Sequence, residues 1–254
     1  MRIEAFGMSD VGLTRKHNED SFGVDSGRNL FLVADGMGGH SHGEVASSTA
    51  VEAIRRYVGS FAEDDTPPPY PGQEEGLPRH LALLKGAVLS AHEQVLAAIR
   101  RDGSLFGMGT TVAALLVNGA SAAVAHVGDS RVYRLRDGRM CQLTADHTWV
   151  NEQVVAGFLS EEQARVHPLK NVVTRALGGE GRLEVDVRDL GLAAGDRYLL
   201  CSDGLTTMLH DDEIAHRLTT DHQPQEACRS LVEAAQARGG YDDVTVVVVD
   251  VAEA

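Results

Sequence analysis

Runs of β-branched and apolar residues, closed by turn residues, restrict this chain to folds built on paired strands. The runs are LFLVAD, TTVAALLV, SAAVAHVGD, RVYRLRDG, RYLLCSD and DVTVVVVDV. Asn118-Gly119 joins the second and third runs and predicts an antiparallel hairpin over 110–129, because both residues tolerate positive φ. Asp137-Gly138 predicts a second hairpin turn, between RVYRLR and RMCQL. The sequence therefore predicts antiparallel sheets.

Helical spacing occurs in three other segments, 43–58, 81–100 and 224–237, where apolar residues recur every three or four positions. The strands are clustered rather than alternating with helices, which favours an α+β fold with helices on the outer faces of the sheets. The proline-rich, acidic segment 62–78 predicts a surface loop between two helices. We expect residues 1–254 to form a single domain.

Composition excludes several classes of function. The chain has 254 residues, 43% of them hydrophobic, and a net charge of -14, with a pI near 5.1. Nucleic acids and anionic membranes attract clustered Lys and Arg, so we expect neither as a partner. No signal peptide is recognisable, and no window approaches the ~18 apolar residues of a membrane span. Three widely spaced cysteines without a CxxC pair indicate reduced thiols in the cytoplasm.

Carboxylates recur at the edges of the apolar runs. Asp35, Asp129, Asp203 and Asp242 stand in LFLVADG, AHVGDSR, YLLCSDG and GGYDDVTVVVVD. Taken singly, each is more often a turn residue or a helix cap than a ligand. Converging in one sandwich, however, such acids would repel one another unless cations neutralised them. Hard oxygen ligands without Cys or His select magnesium or manganese rather than zinc.

The residues around these acids fit the same chemistry. Gly36 follows Asp35 and lacks a Cβ, so its backbone carbonyl could approach a cation, although a flexible turn explains the glycines as well. The segment is no P-loop, because it lacks the Gly-Lys-Ser/Thr ending. The stretch TRKHNEDSFG adds Arg15, Glu19 and Asp20, either as a solvated charge run or as a phosphate-binding arginine beside two further acids.

Together these motifs resemble a known family. RKHNEDSFG, LFLVADGMGGHSHGEVAS, GTTVAALLV, AHVGDSRVYRL, the long segment 143–179, YLLCSDGLTTML and GGYDDVTVVVV occur in the order found in type 2C metal-dependent serine/threonine protein phosphatases of the compact bacterial form. The match runs from about residue 8 to 250. The resemblance implies a four-layer α-β-β-α sandwich of two antiparallel sheets flanked by helices, with a metal site at one end.

The resemblance also implies roles for individual residues. Asp35 would bridge two metal ions, the Gly36 carbonyl would bind the first, Asp203 and Asp242 would bind the second, and Asp20 would belong to the same cluster. Glu19 would reach a metal-bound water, Asp129 would help to hold a third, weaker ion, and Arg15 would bind phosphate. His40 would lie near the metals, as a substrate-positioning residue or a catalytic acid, and residues 148–174 would form a mobile flap that influences substrate choice. One departure is Asp243, where the family usually has Asn.

The activity implied is hydrolysis of phosphoserine and phosphothreonine in proteins by water activated by Mn²⁺ or Mg²⁺, without a phosphoenzyme. The partners implied are phosphorylated proteins and a cognate Ser/Thr kinase, with the enzyme acting as a monomer. Neither Cys201 nor Cys228 has the context of a cysteine-dependent phosphatase, and no Asp-x-Asp-x-Thr/Val loop is present. A catalytically silent phosphoprotein-binding module and a small-molecule phosphatase of the same fold remain as alternatives.

Overall fold

The structure, a computed structural model, describes residues 1–38, 42–61 and 76–253. In these ranges the strands are β1 (Arg2–Asp10), β2 (Ser21–Asp25), β3 (Leu30–Ala34), β4 (Gly36–Met37), β5 (Gly109–Thr110), β6 (Val112–Asn118), β7 (Ser121–Val127), β8 (Arg131–Arg136), β9 (Arg139–Gln142), β10 (Asp186–Gly191), β11 (Arg197–Cys201) and β12 (Val244–Ala252). The helices are α1 (Gly43–Gly59), α2 (Arg79–Arg101), α3 (Trp149–Val155), α4 (Glu161–Val166), α5 (Asp203–Thr206), α6 (Asp211–Thr220) and α7 (Pro224–Ala237), with a 3-10 turn at Gly103–Leu105.

Two five-stranded antiparallel sheets form the centre of the molecule. The first sheet has the order β1-β12-β11-β8-β9, and the second has the order β10-β7-β6-β3-β2. One apolar cluster lies between the sheets, a second between the second sheet and helices α1 and α2, and a third between the first sheet and helices α5 to α7. These layers confirm the predicted α+β sandwich.

Alternation of side chains along the strands explains the layers. In β3, Leu30 and Leu32 pack toward the helices, whereas Phe31 and Val33 pack toward the other sheet. All are fully buried. Successive side chains of a strand point to opposite faces, so a strand covered on both faces is apolar at every position. The valine run of β12 follows the same rule.

Both predicted hairpins form, and one turn differs in detail. Asp137 and Gly138 have φ of 52° and 73° and join β8 to β9, as predicted. In the other hairpin, Asn118 pairs with Ser121 as the last residue of β6, so the loop is Gly119-Ala120. Of the residues in that turn only Gly119 takes a positive φ, 61°. Glycine at the first loop position is the type II′ arrangement.

The predicted helices correspond to α1, α2 and α7. By length and hydropathy α2 could cross a membrane, although the sequence predicted no such segment. Its most apolar window is 50% buried, and Leu84, Ala87 and Val88 are fully inaccessible. Because these side chains pack against α1 and the second sheet, α2 is a core helix.

Three edge strands are among the elements that the sequence did not predict, along with β4 and the short helices α3 to α6. β1, β2 and β10 lie at three of the four sheet edges. β1 lacks an apolar run and is set by its pairing with β12, from Arg2↔Ala252 to Asp10↔Val244. The predicted surface loop 62–78 lies mostly outside the described residues, which resume at Gly76 shortly before α2.

Candidate active site

Strand ends from both sheets bring the predicted acids to one end of the sandwich. In the second sheet, Asp20 precedes β2 and Asp35 follows β3, and the pair Ser21↔Ala34 places these two ends side by side. Asp129 follows β7 at the same end of this sheet. In the first sheet, Asp203 follows β11 and Asp242 lies just before β12, where Cys201 pairs with Val246.

The carboxylates lie close enough to perturb one another. Burial, and after it the charges of Asp20, Asp203, Asp129 and Asp242, raise the pKa of Asp35 well above its usual value. Burial is also the first cause that raises the pKa of Asp20 to about 8, of Asp129 to about 7 and of Asp203 to about 6. Carboxyl groups crowded in this way stay neutral, or they stay ionised if cations lie between them.

Asp20 is held by a hydrogen-bond bridge between the sheets. The Ser202 hydroxyl donates to Asp20 Oδ2 over 2.7 Å and accepts the Thr245 N–H over 3.0 Å. The second oxygen of Asp20, Oδ1, is buried and has no hydrogen-bond partner in the described part of the chain. A buried acceptor without a donor is rare and calls for an explanation. A bound cation would satisfy it.

The backbone around Asp35 is fixed on both sides. Its N–H donates to the Thr111 hydroxyl over 3.0 Å, and its carbonyl accepts from the Thr110 hydroxyl and the Thr111 N–H, each over 2.8 Å. At Gly36 a Cβ would overlap the Gly43 carbonyl. The chain therefore needs glycine directly after Asp35, whether or not the Gly36 carbonyl binds an ion.

Arg15 contacts the cluster from the solvent side. Its Nη2 donates to Asp242 Oδ2 over 2.8 Å, and this bond is the main cause that raises the pKa of Arg15. The side chain is 47% exposed. Within the described ranges its Nε and Nη1 groups form no hydrogen bond, so they can donate to a ligand.

Asp243 is a buried acid whose second oxygen lacks a partner. It is only 4% exposed, and burial raises its pKa to about 6. Its Oδ2 accepts the Glu19 N–H over 2.8 Å, whereas Oδ1 has no partner among the described residues. An asparagine amide oxygen could accept the same N–H. Asp243 therefore keeps the hydrogen bond that Asn could make and adds a negative charge to the cluster.

Glu19 and His40 are the remaining residues of the predicted site. The Glu19 carbonyl accepts from Gly36 N–H over 3.2 Å and from the Ser47 hydroxyl over 2.6 Å, and its side chain lies against Gly43 at the start of α1. His40 lies outside the described residues. The role of His40 therefore stays a prediction.

A groove of about 500 Å³ opens beside the acids. Asp129 and Asp203 line it, together with residues of helices α3 and α4 of the predicted flap. The flap begins and ends together, because Thr148 pairs with Val173 and Trp149 N–H donates to the Val172 carbonyl over 2.9 Å. A chain segment lying in this groove would contact flap residues as well as Asp129 and Asp203.

Comparisons with known proteins identify the family. A model of the family "Protein phosphatase 2C" matches residues 14–236. The chain belongs to the protein phosphatase 2C family. It is 41% identical over 245 residues to the serine/threonine protein phosphatase PstP of Mycobacterium tuberculosis, covering 96% of this chain and 44% of that protein. The chain therefore spans less than half the length of that relative.

Other relatives match over nearly their whole length. The serine/threonine phosphatase Stp of Listeria welshimeri is 36% identical, with 95% of this chain and 93% of that protein covered. The crystal structure of the catalytic domain of PstP in complex with two manganese ions is 37% identical and covers 99% of both chains, with a TM-score of 0.85. The fold expected from the sequence is that of this family, and the two manganese ions of the PstP structure agree with the expected Mn²⁺ or Mg²⁺.

Sequence reasoning missed the residues that support this family site. Arg131 forms a two-pronged ion pair with Asp146, with Nη2 to Oδ2 at 2.6 Å, and also donates to the Tyr133 hydroxyl over 2.8 Å. His147, next to Asp146, contacts the turn that carries Asp129. The only sequence signals were an Arg directly after GDS and an Asp-His pair in a loop, and neither pattern is specific by itself.

Proposed function

We propose that this chain hydrolyses phosphoserine and phosphothreonine in proteins at a pair of divalent ions held by the strand-end carboxylates. The observation that carries the proposal is the convergence of acids from both sheets, with a buried Asp20 oxygen left unpaired. The charges of Asp20, Asp203, Asp129 and Asp242 all act on Asp35, which suits a bridging role between two ions. The Gly36 carbonyl and the carboxylates of Asp20, Asp203 and Asp242 complete the ligand set.

The donor set fits manganese or magnesium. All of its members are oxygens, and hard divalent cations prefer carboxylate and carbonyl ligands. Together the carboxylates carry about the charge that two divalent ions neutralise. When bound, such a pair lowers the pKa of a shared water and stabilises charge on the phosphoryl oxygens. We propose that Asp129 helps to hold a third ion.

The chain's own residues would orient the phosphate. Arg15 has free donors on its exposed side, and a guanidinium can bind two phosphate oxygens at once. Its contact with Asp242 places these donors beside the acid cluster. Glu19 is fixed by Asp243 and Ser47 and would accept a hydrogen bond from water at the site. His40 would position the substrate or protonate the leaving serine or threonine oxygen.

The groove favours a polypeptide substrate over a small molecule. A phosphoryl group bound near Asp203 would leave room for neighbouring residues of a substrate chain between the acid cluster and the flap. A nucleotide or sugar phosphate would make fewer contacts with the flap residues that line this space. The relatives named as serine/threonine phosphatases support the same substrate class.

The test is turnover of a phosphothreonine peptide by protein stripped with EDTA and then supplied with Mn²⁺. We expect phosphate release that depends on Mn²⁺ and is lost in Asp35→Asn. Peptide bound but not hydrolysed by the manganese-loaded wild type would instead identify a binding module. Nucleotides that outcompete the peptide would identify a small-molecule phosphatase.

We further propose that the chain acts as a cytoplasmic monomer and opposes a Ser/Thr kinase. The acid cluster is assembled within one chain, which supports action as a monomer. Cys141, Cys201 and Cys228, all within the described ranges, are unpaired, which supports a reducing compartment. Light scattering of the purified protein tests the first proposal. Phosphoproteomics of a deletion strain, compared with a strain carrying Asp35→Asn, tests the kinase opposition.

A further inference from the structure

A buried histidine pair lies between the turn that carries Asp129 and the base of the flap. His126, near the end of β7, and His147, just before α3, stack with ring centroids 4.6 Å apart. They are 5% and 6% exposed. His147 Nε2 lies 3.4 Å from Asp186 Oδ2, and Arg175 donates to the other oxygen of Asp186 over 2.9 Å.

These groups resemble a metal site, but their hydrogen bonds argue against one. The ligand atoms of His126, His147 and Asp186 lie within 4.8 Å of one another. However, Gly128 N–H donates to His147 Nδ1 over 3.0 Å. An N–H can only donate, so Nδ1 carries no proton, and the neutral ring must carry its proton on Nε2, facing Asp186. A metal at Nε2 would have to displace that proton.

The neutral state of the ring follows from its surroundings. Burial first, and then the neighbouring His126 and Arg175, lower the pKa of His147. His147 therefore has one acceptor and one donor. The acceptor is used by Gly128 and the donor faces Asp186.

The acceptor side of His147 holds the turn before Asp129. Gly128 has φ of 101°, and a Cβ there would lie 2.6 Å from Thr111 Cγ2, so this turn is both left-handed and tightly packed. The backbone of His147 adds a second bond, because its N–H donates to the Gly128 carbonyl over 2.9 Å. The peptide groups on both sides of Gly128 are thus tied to one residue.

The other end of His147 is tied to the flap. Its carbonyl accepts the Thr174 N–H over 2.8 Å, and the next residue, Thr148, pairs with Val173. His147 therefore contacts the Asp129 turn and both chain segments at the base of the flap. No other described residue combines these contacts.

We propose that His147 is a positioning residue, which holds the Gly128–Asp129 turn in register with the base of the flap through its Nδ1 acceptor. The proposal rests on the proposed role of Asp129 in holding a third ion. Loss of the acceptor would leave the Gly128 N–H unpaired and let Asp129 move away from the metals. Outer groups that orient metal ligands typically change metal affinity or activity by roughly 10- to 100-fold.

Two variants of His147 separate its acceptor from its donor. In His147→Asn, Oδ1 takes the place of Nδ1 and can accept from Gly128, but the donor to Asp186 is lost. In His147→Gln, the terminal amide reaches the position of Nε2, and the acceptor near Gly128 is lost. We expect His147→Gln to weaken the weakest Mn²⁺ binding event in calorimetry and to lower kcat by roughly 10-fold or more. We expect His147→Asn to retain both.

His92 supplies a matched control. It is 5% exposed, and its Nδ1 accepts the N–H of another left-handed glycine, Gly178, over 3.2 Å. This bond does not hold the Asp129 turn. His92→Gln should lower thermal stability by an amount similar to His147→Gln, with the weak Mn²⁺ event unchanged.

Asp129→Ala separates failure of this inference from failure of the proposed function. If Asp129→Ala loses the weak Mn²⁺ event and turnover while His147→Gln keeps both, the positioning role is wrong and the role of Asp129 stands. If Asp129→Ala changes neither measurement, the third-ion proposal is wrong, and the inference about His147 is wrong with it. Equal losses in His147→Asn and His147→Gln would also overturn the assignment to the acceptor.

Discussion

Replacing Asp20 with Asn should make the metal-free protein less sensitive to pH than the wild type. Folding raises the pKa of Asp20 from its ordinary value of 3.8 to about 8, first through burial. Below pH 3.8 the carboxyl group is protonated in both the folded and the unfolded chain, so it does not reduce the stability of the wild type. As the pH rises from 3.8 toward 8, the unfolded chain releases this proton and the folded chain does not, so the free energy of unfolding falls.

The size of the effect follows from that window. A single group costs about 1.4 kcal/mol for each pH unit that lies between its two pKa values. Between about pH 5 and pH 7 the free energy of unfolding of the wild type should fall by roughly 2 to 3 kcal/mol more than that of Asp20→Asn. Asp20 is only 9% exposed, so solvent screens this contribution little.

Urea unfolding in EDTA, followed by far-UV circular dichroism at both pH values, measures this difference. Asp137→Asn is the control, because Asp137 is an exposed turn residue and Asn tolerates its positive φ of 52°. Saturating Mn²⁺ should make up much of this loss at pH 7, since a ligand at 100 times its Kd adds about 2.7 kcal/mol to the stability of the wild type. Parallel pH curves for wild type and Asp20→Asn would refute the argument that burial keeps the Asp20 carboxyl neutral in the metal-free protein.

Three other substitutions test separate parts of the site. Asp35→Asn should lower kcat by more than roughly 100-fold, because loss of a residue that only orients a metal ligand already costs up to that much. The circular dichroism spectrum should be unchanged, and near-normal turnover would contradict the bridging role. Arg15→Ala should raise KM for p-nitrophenyl phosphate about 10-fold or more, since hydrogen bonds to charged groups contribute about 1.5 to 3 kcal/mol; reduced Mn²⁺ affinity with normal KM would count against phosphate binding. Gly36→Ala should lower stability by about 1 to 3 kcal/mol in thermal melts, because its Cβ overlaps the Gly43 carbonyl. Gly191→Ala is the control, since a Cβ there meets no atom within 4 Å, and equal melting temperatures for the two variants would exclude the overlap.

Local sequence predicted the centre of the sandwich because its strands are covered on both faces. The run Leu30–Ala34 has to be apolar at each position, and turn residues such as Asp137-Gly138 fix where a hairpin reverses. The clustering of the acids followed from the same pattern, since one antiparallel strand ends at the same end of the sheet at which its neighbour begins. The sheet edges were missed because β1 and β10 depend on their partners for their conformation.

The support of the site depends on contacts between residues far apart in sequence. Ser202 donates to Asp20 across 182 positions, and Glu19 N–H donates to Asp243 across 224. Neither contact leaves a local pattern. His147 was missed for the same reason, because its partners Gly128 and Asp186 come from other elements. A single histidine in a loop predicts nothing until those partners are known.

Crystals of the wild type grown with Mn²⁺, measured at the manganese absorption edge, test most directly whether the strand-end acids hold paired ions. We expect two anomalous peaks about 3.5 to 4 Å apart, bridged by Asp35, with Asp203 and Asp242 on one of them. Crystals whose anomalous density is absent from this cluster, or lies only between His126, His147 and Asp186, would contradict the account.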